Sequence, residues 1–131
     1  MRAVDTNVLV RFFMDDNRDQ AAKARRIFET SRDRREPLLI VPHVLCELVW
    51  VLTVSFQLSK AEIVDILLRI LVADVFLIER VNLVTRALEH YKAGRADFSD
   101  YLLGEIATAS GCRDTVTFDK GLRGATGFTP L

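Results

Sequence analysis

Five carboxylates stand at or near the expected ends of elements: Asp5 in MRAVDTNVLV, Glu47 in PHVLCELVW, Asp97 and Asp100 in GRADFSDYLLGEIA, and Asp119 in TVTFD. In open α/β sheets, ligands bind in the crevice beyond the carboxyl ends of the strands, so acids just after a strand are the first place to look for chemistry. Asp5 follows the first apolar run directly and Asp119 closes Thr115–Phe118. Glu47 stands one to two turns into the helix expected after Leu38–Val41. Asp97 and Asp100 are three residues apart, a spacing that puts them on one face of a helix. Two unit charges about 4 Å apart repel by roughly 4 kcal/mol at an effective dielectric of about 20, against a total domain stability of about 5–15 kcal/mol. A cluster of three or four such groups therefore needs protons or a divalent cation. Hard oxygen ligands without thiolate or histidine companions favour Mg²⁺ or Mn²⁺ over zinc, and Mg²⁺ is commonly shared between carboxylates and substrate phosphates. The chemistry expected is metal-assisted phosphoryl transfer.

Each acid also has a structural explanation. Asp5 could cap the next helix. Asp97 could be the N-cap of a helix with Asp100 in its first turn, and Asp119 could open a turn with Lys120 and Gly121. Glu47 has no capping role available in the apolar segment Val44–Leu52, and glutamate is rarely buried unpaired. That helix is expected to be covered on several sides.

The elements that must position these acids follow from periodicity. β-Branched runs at 2–4, 38–41, 75–78 and 115–118, with a weaker one at 127–129, alternate with helical patterns at 6–14, 19–34, 42–55, 59–73, 81–93 and 99–110. Alternation of this kind predicts βαβ units and a parallel sheet of four or five strands. Ser59-Lys60-Ala61-Glu62 fits a capping box, Pro42 a first helical turn, and Gly94 and Gly111 helix ends. Ile63, Ile66, Leu67, Ile70 and Leu71 form an apolar helical stripe suited to core or subunit contact. The polar run 31–37 reads as a helix end and loop.

With 131 residues, the chain is expected to form one domain over 1–131. Its 18 basic and 18 acidic residues cancel, so any nucleic-acid surface must be local. Arg95, Lys120 and Arg123, close in sequence to the later acids, are the better candidates for phosphate contacts. Lys23, Arg25, Arg26, Arg32, Arg34 and Arg35 are interleaved with acids and read equally well as a solvated face. Cys46 and Cys112 lack paired-ligand spacing and are expected to be buried thiols in a reducing compartment. Charges interrupt every long apolar stretch, and no membrane segment or leader is expected. His43 and His90 show no acid–base spacing with the five acids, and no serine sits in a nucleophile elbow.

The words DTN at 5–7, the glutamate of PHVLCELVW, DFSDYLLGEIA and TFD at 117–119 together resemble the PIN-domain ribonucleases, in particular the small VapC-type toxins of toxin–antitoxin pairs. The resemblance spans Asp5 to Asp119, nearly the whole chain. It implies a three-layer α/β/α sandwich around the parallel sheet and a cytoplasmic, metal-dependent endoribonuclease. Asp5, Glu47, Asp100 and Asp119 would be the acidic quartet holding one or two Mg²⁺ or Mn²⁺ ions. Asp97 would be an extra ligand or a cap, and Asn7 and Thr117 polar groups that orient the ligands. The partners implied are an RNA substrate, a cognate antitoxin laid across the acidic pocket with an arginine near the ligands, and a second copy in a homodimer, for which the helix around Trp50 and the stripe after Ser59 are suited. Competing readings are a haloacid-dehalogenase-type phosphatase, which would need a second carboxylate where Asn7 stands; a phospho-acceptor receiver module, which would need adjacent acids after the first strand; and a non-catalytic interaction domain that keeps its acids as caps.

Overall fold

The computed structural model describes residues 1–131, and its internal contacts divide the chain into two compact units, Met1–Arg80 and Val81–Leu131. The first unit carries strand β1 (Arg2–Ala3), helices α1 (Thr6–Met14) and α2 (Arg18–Arg34), strand β2 (Leu38–Ile40), helices α3 (Pro42–Val54) and α4 (Lys60–Val72), and strand β3 (Phe76–Ile78). Its three strands form a parallel sheet in the order β1-β2-β3, with Arg2 opposite Leu38 and Leu39 opposite Leu77. Helical crossovers between successive parallel strands are what the alternating pattern requires.

Local signals account for the helix ends. Asn17 caps α2 by accepting from the Gln20 N–H at 3.0 Å. Ser59 and Glu62 close the expected capping box on α4. Pro42 occupies the first turn of α3, where a missing N–H costs nothing. The stripe after Ser59 is core: Ile63, Ile66, Leu67 and Ile70 are buried within this unit, beside Leu45, Leu48 and Leu52 of α3.

The second unit consists of α5 (Val81–Ala93), α6 (Phe98–Ala109), strand β4 (Thr115–Thr117), a 3₁₀ turn (Lys120–Leu122) and strand β5 (Phe128–Pro130). Leu88, Phe98, Leu102 and Leu122 form its interior. The strands β4 and β5 pair in parallel, Thr115 opposite Phe128, so the five strands are distributed over two sheets of three and two rather than one of four or five. The short β4 finds its partner after a turn in which Gly124 and Gly127 take φ values of +81° and +84°, conformations that cost a glycine nothing. The result is a mixed α/β fold of six α-helices and small parallel sheets, consistent with the expected α/β/α class. No helix is long and apolar enough to cross a membrane.

Candidate active site

In the first unit, the Val4 N–H donates to the Leu39 carbonyl at 2.9 Å, extending the β1–β2 pairing up to the residue before Asp5. Asp5 is then the N-cap of α1, with extended backbone (φ −82°, ψ 155°). Its carboxylate makes no capping bond and is exposed, so the capping explanation covers its position but not its charge. The next residue, Thr6, is buried, and its hydroxyl donates to Glu47 Oε2 at 2.8 Å. His43 Nε2 stands 2.5 Å from the other oxygen, Glu47 Oε1. Asp5 and Glu47 are thus linked through Thr6.

Two expectations are corrected here. His43 does have acid–base spacing, since it precedes Glu47 by four residues, one helical turn. The helix α3 is not covered on several sides: Val44, Leu45, Leu48, Val49 and Leu52 are buried, but Trp50 is 63% exposed and Val54 53%. Glu47 lies on that open side, its side chain 48% exposed, and is no buried anomaly.

In the second unit, Asp97 is the N-cap of α6 and Asp100 lies in its first turn, with Asp100 Oδ2 accepting from the Asp97 N–H at 3.1 Å. Asp119 follows β4 and caps the 3₁₀ turn, its Oδ1 accepting from the Gly121 N–H at 2.8 Å, while its own N–H donates to Thr117 Oγ1 at 2.9 Å. A Cβ on Gly121 would lie 3.1 Å from Asp119 Oδ1 and 3.8 Å from Ala96 Cα, so the turn packs against the chain just before α6. That contact brings Asp119 towards Asp100. The Asp100 carboxyl is pushed above the usual carboxylate range, first by burial and then by the negative charges of Asp97 and Asp119, with the bond from the Asp97 N–H pulling the other way. Burial, helped by Asp97, also raises the Tyr91 phenol. The structural reading of Asp119 and Asp97 is therefore realised, and both still crowd Asp100 electrostatically.

Asn7 is exposed and lines a hollow of about 250 Å³ with Arg11, Gln20 and Lys23; the residue of the DTN word that touches an acid is Thr6. Arg95, Lys120 and Arg123 are exposed and form no ion pair; in the earlier basic cluster Lys23 is held by Asp19 at 3.2 Å and Arg32 by Asp74 at 3.7 Å, while Arg25, Arg26, Arg34 and Arg35 are likewise exposed and form no ion pair. His90 is occupied structurally, 3.2 Å from Glu105 Oε1 and stacked on Tyr101. Both cysteines are free. Cys46 is half-buried, and burial pushes its thiol up, but Cys112 is exposed, contrary to the expectation of two buried thiols. No group of three or more His, Cys, Asp and Glu side chains stands preassembled for a metal.

The sequence reading missed Thr6 and His43. The signal for His43 was its one-turn spacing to Glu47; a contact spanning 41 residues, such as Thr6 to Glu47, has no local signal.

Comparison with known proteins adds three findings. A family profile described as "PIN domain" matches residues 2–127. A curated relative, the VapC ribonuclease of Aquifex aeolicus (strain VF5), is 24% identical over 120 residues, which cover 92% of this chain and 88% of the relative. No solved structure matches the chain. The profile takes in every acid described above along with all six helices, and the chain belongs to the PIN-domain family.

Proposed function

We propose that the protein is a divalent-metal-dependent endoribonuclease and the toxin of a toxin–antitoxin pair, with Asp5, Glu47, Asp100 and Asp119 as its metal-holding acids. The observation that carries the metal reading is the surroundings of Asp100, a partly buried carboxylate with two further acids raising its pKa. All four side chains are carboxylates, the donor chemistry a hard cation takes, and Asp5 has no competing capping bond, while no three of them stand grouped for an ion in this structure. The nuclease and toxin reading rests on the whole-chain likeness to a VapC ribonuclease. The chemistry that Mg²⁺ or Mn²⁺ supplies when bound is activation of water for in-line attack and neutralisation of charge on the phosphodiester.

The chain's own residues divide the remaining work. Thr117 accepts the Asp119 N–H and so fixes the turn that presents that carboxylate. Asp97 shapes the start of α6 and adds negative charge beside Asp100. Arg95, Lys120 and Arg123, exposed and unpaired, meet RNA phosphates. Asn7 serves as a further polar contact near Asp5. The site works in the cytoplasm, where RNA is at hand, until a cognate antitoxin covers it. The exposed Trp50 and Val54 of α3 offer apolar surface for a second copy in a homodimer.

The test is induction of the wild type and of Asp5→Asn without the partner. The wild type should slow growth and leave new RNA ends, and the purified protein should cut RNA with Mn²⁺ and stop when EDTA is added. Asp5→Asn should do none of these. Equal toxicity from both proteins, or cutting that survives EDTA, overturns the proposal.

A further inference from the structure

Thr6 is the one polar residue among the buried side chains, at 4% exposure. A threonine inside a helix can satisfy its hydroxyl on the carbonyl four residues back, as Thr53 does on Val49 at 2.7 Å and Thr85 on Val81 at 2.8 Å. Thr6 is the first residue of α1 and has no helical carbonyl behind it. Its hydroxyl goes instead to Glu47 Oε2 at 2.8 Å.

Glu47 does not need that bond for solvation, because its side chain is 48% exposed and water can reach it. What the bond supplies is direction. A glutamate on an open helix face has several rotamers, and a donor rooted in the interior selects one of them. Ligating carboxylates are commonly held this way by hydrogen bonds from outside the metal shell. Thr6 also adjoins Asp5, so its hydroxyl ties the Glu47 carboxylate to the start of α1, where Asp5 stands, while His43 meets the other oxygen from within α3.

We infer that Thr6 is a positioning residue: its buried hydroxyl aims Glu47 for binding a divalent cation. The inference rests on the reading of Glu47 as a metal-holding acid.

The test uses the full chain carrying Thr6→Val, Thr6→Ala, Thr6→Ser or Glu47→Gln, with Mn²⁺ affinity measured by calorimetry, thermal melting measured without metal, and RNA cleavage measured across Mn²⁺ concentrations. Thr6→Val and Thr6→Ala should weaken Mn²⁺ binding about tenfold, with cleavage partly recovered at high Mn²⁺. Thr6→Ser, which restores the hydroxyl, should recover most of that loss. If valine fails to pack, alanine decides by the same criterion. A folded Thr6→Val or Thr6→Ala that melts earlier but binds Mn²⁺ like the wild type makes the bond purely structural and overturns the inference, as does loss of folding in both. Unchanged Mn²⁺ affinity in Glu47→Gln would instead overturn the reading of Glu47 itself.

Discussion

Asp100 carries a charge that folding makes costly. Its folded pKa lies above its ordinary value of 3.8, through burial and the nearby Asp97 and Asp119. Between the unfolded and folded pKa values the native state binds more protons than the unfolded chain, so stability falls as pH rises through that window. The penalty is fully present above the folded pKa and absent below the unfolded one. Asn at this position keeps an oxygen to accept the Asp97 N–H but carries no charge. Asp100→Asn should therefore be more stable than the wild type at about pH 7, with the gain vanishing near pH 3. Adding Mn²⁺ should raise the melting temperature of the wild type more than that of the variant. Urea melts at the two pH values check this; a variant less stable at neutral pH, or equally stabilised at both, would contradict it. The five acids were legible in the sequence because Asp5 and Asp119 follow strand-like runs, Glu47 stands out in an apolar segment, and Asp97 and Asp100 share one face at a helix start. Thr6 has no sequence signal, because a buried long-range hydrogen bond leaves no trace in local spacing, whereas the one-turn relation of His43 to Glu47 is carried by local spacing.

Helices were more legible than sheets, for a physical reason. Helix bonds are local, so caps and periodicity reveal them: α1 and α5 start and end where the pattern placed them, and the Ser59–Glu62 capping box opens α4 as expected. Strands of two or three residues carry little pattern, and their pairing is decided by distant chain, which is why the split into β1-β2-β3 and β4-β5 was not foreseen. The glycines show the same divide. Gly111, expected at a helix end, does take a left-handed φ of +88°. Gly94, expected for the same reason, is not among the residues with positive φ; it is required by close approach. A Cβ there would fall 1.8 Å from Tyr101 Oη and 2.9 Å from the His90 carbonyl. That hydroxyl is already committed, accepting from the Ala96 N–H at 3.2 Å just ahead of α6. Gly94→Ala must displace Tyr101, and overpacking of this kind costs about 1–3 kcal/mol, more than the few tenths to about 1 kcal/mol that removing a glycine can gain. Urea unfolding should show a lower midpoint at unchanged slope. A variant as stable as the wild type would mean that the Tyr101 ring moves aside freely.

At the scale of the whole molecule, the balance of 18 basic and 18 acidic residues leaves no global field to draw in RNA. Affinity must then come from a few local contacts, and salt dependence counts them. Each phosphate neutralised on a single strand contributes roughly −0.7 to the slope of log K against log salt, so contacts from Arg95, Lys120 and Arg123 alone predict a slope of about −2. Of the basic residues of α2, Lys23 and Arg32 are engaged with Asp19 and Asp74, whereas Arg18, Arg25, Arg26 and Arg34 are exposed and form no ion pair, so any that meet phosphate steepen the slope beyond that value. Asp5→Asn, which should bind without cutting, allows the slope to be measured by titrating it with single-stranded RNA between about 50 and 200 mM salt. Replacing Arg95, Lys120 and Arg123 together by glutamine should flatten the slope towards zero and weaken binding across RNA sequences alike, because phosphate contacts hold the strand without reading it. A slope of about −4 or steeper, unmoved by the triple replacement, would transfer RNA binding to the α2 face and leave the three cations near Asp97 and Asp119 without that role.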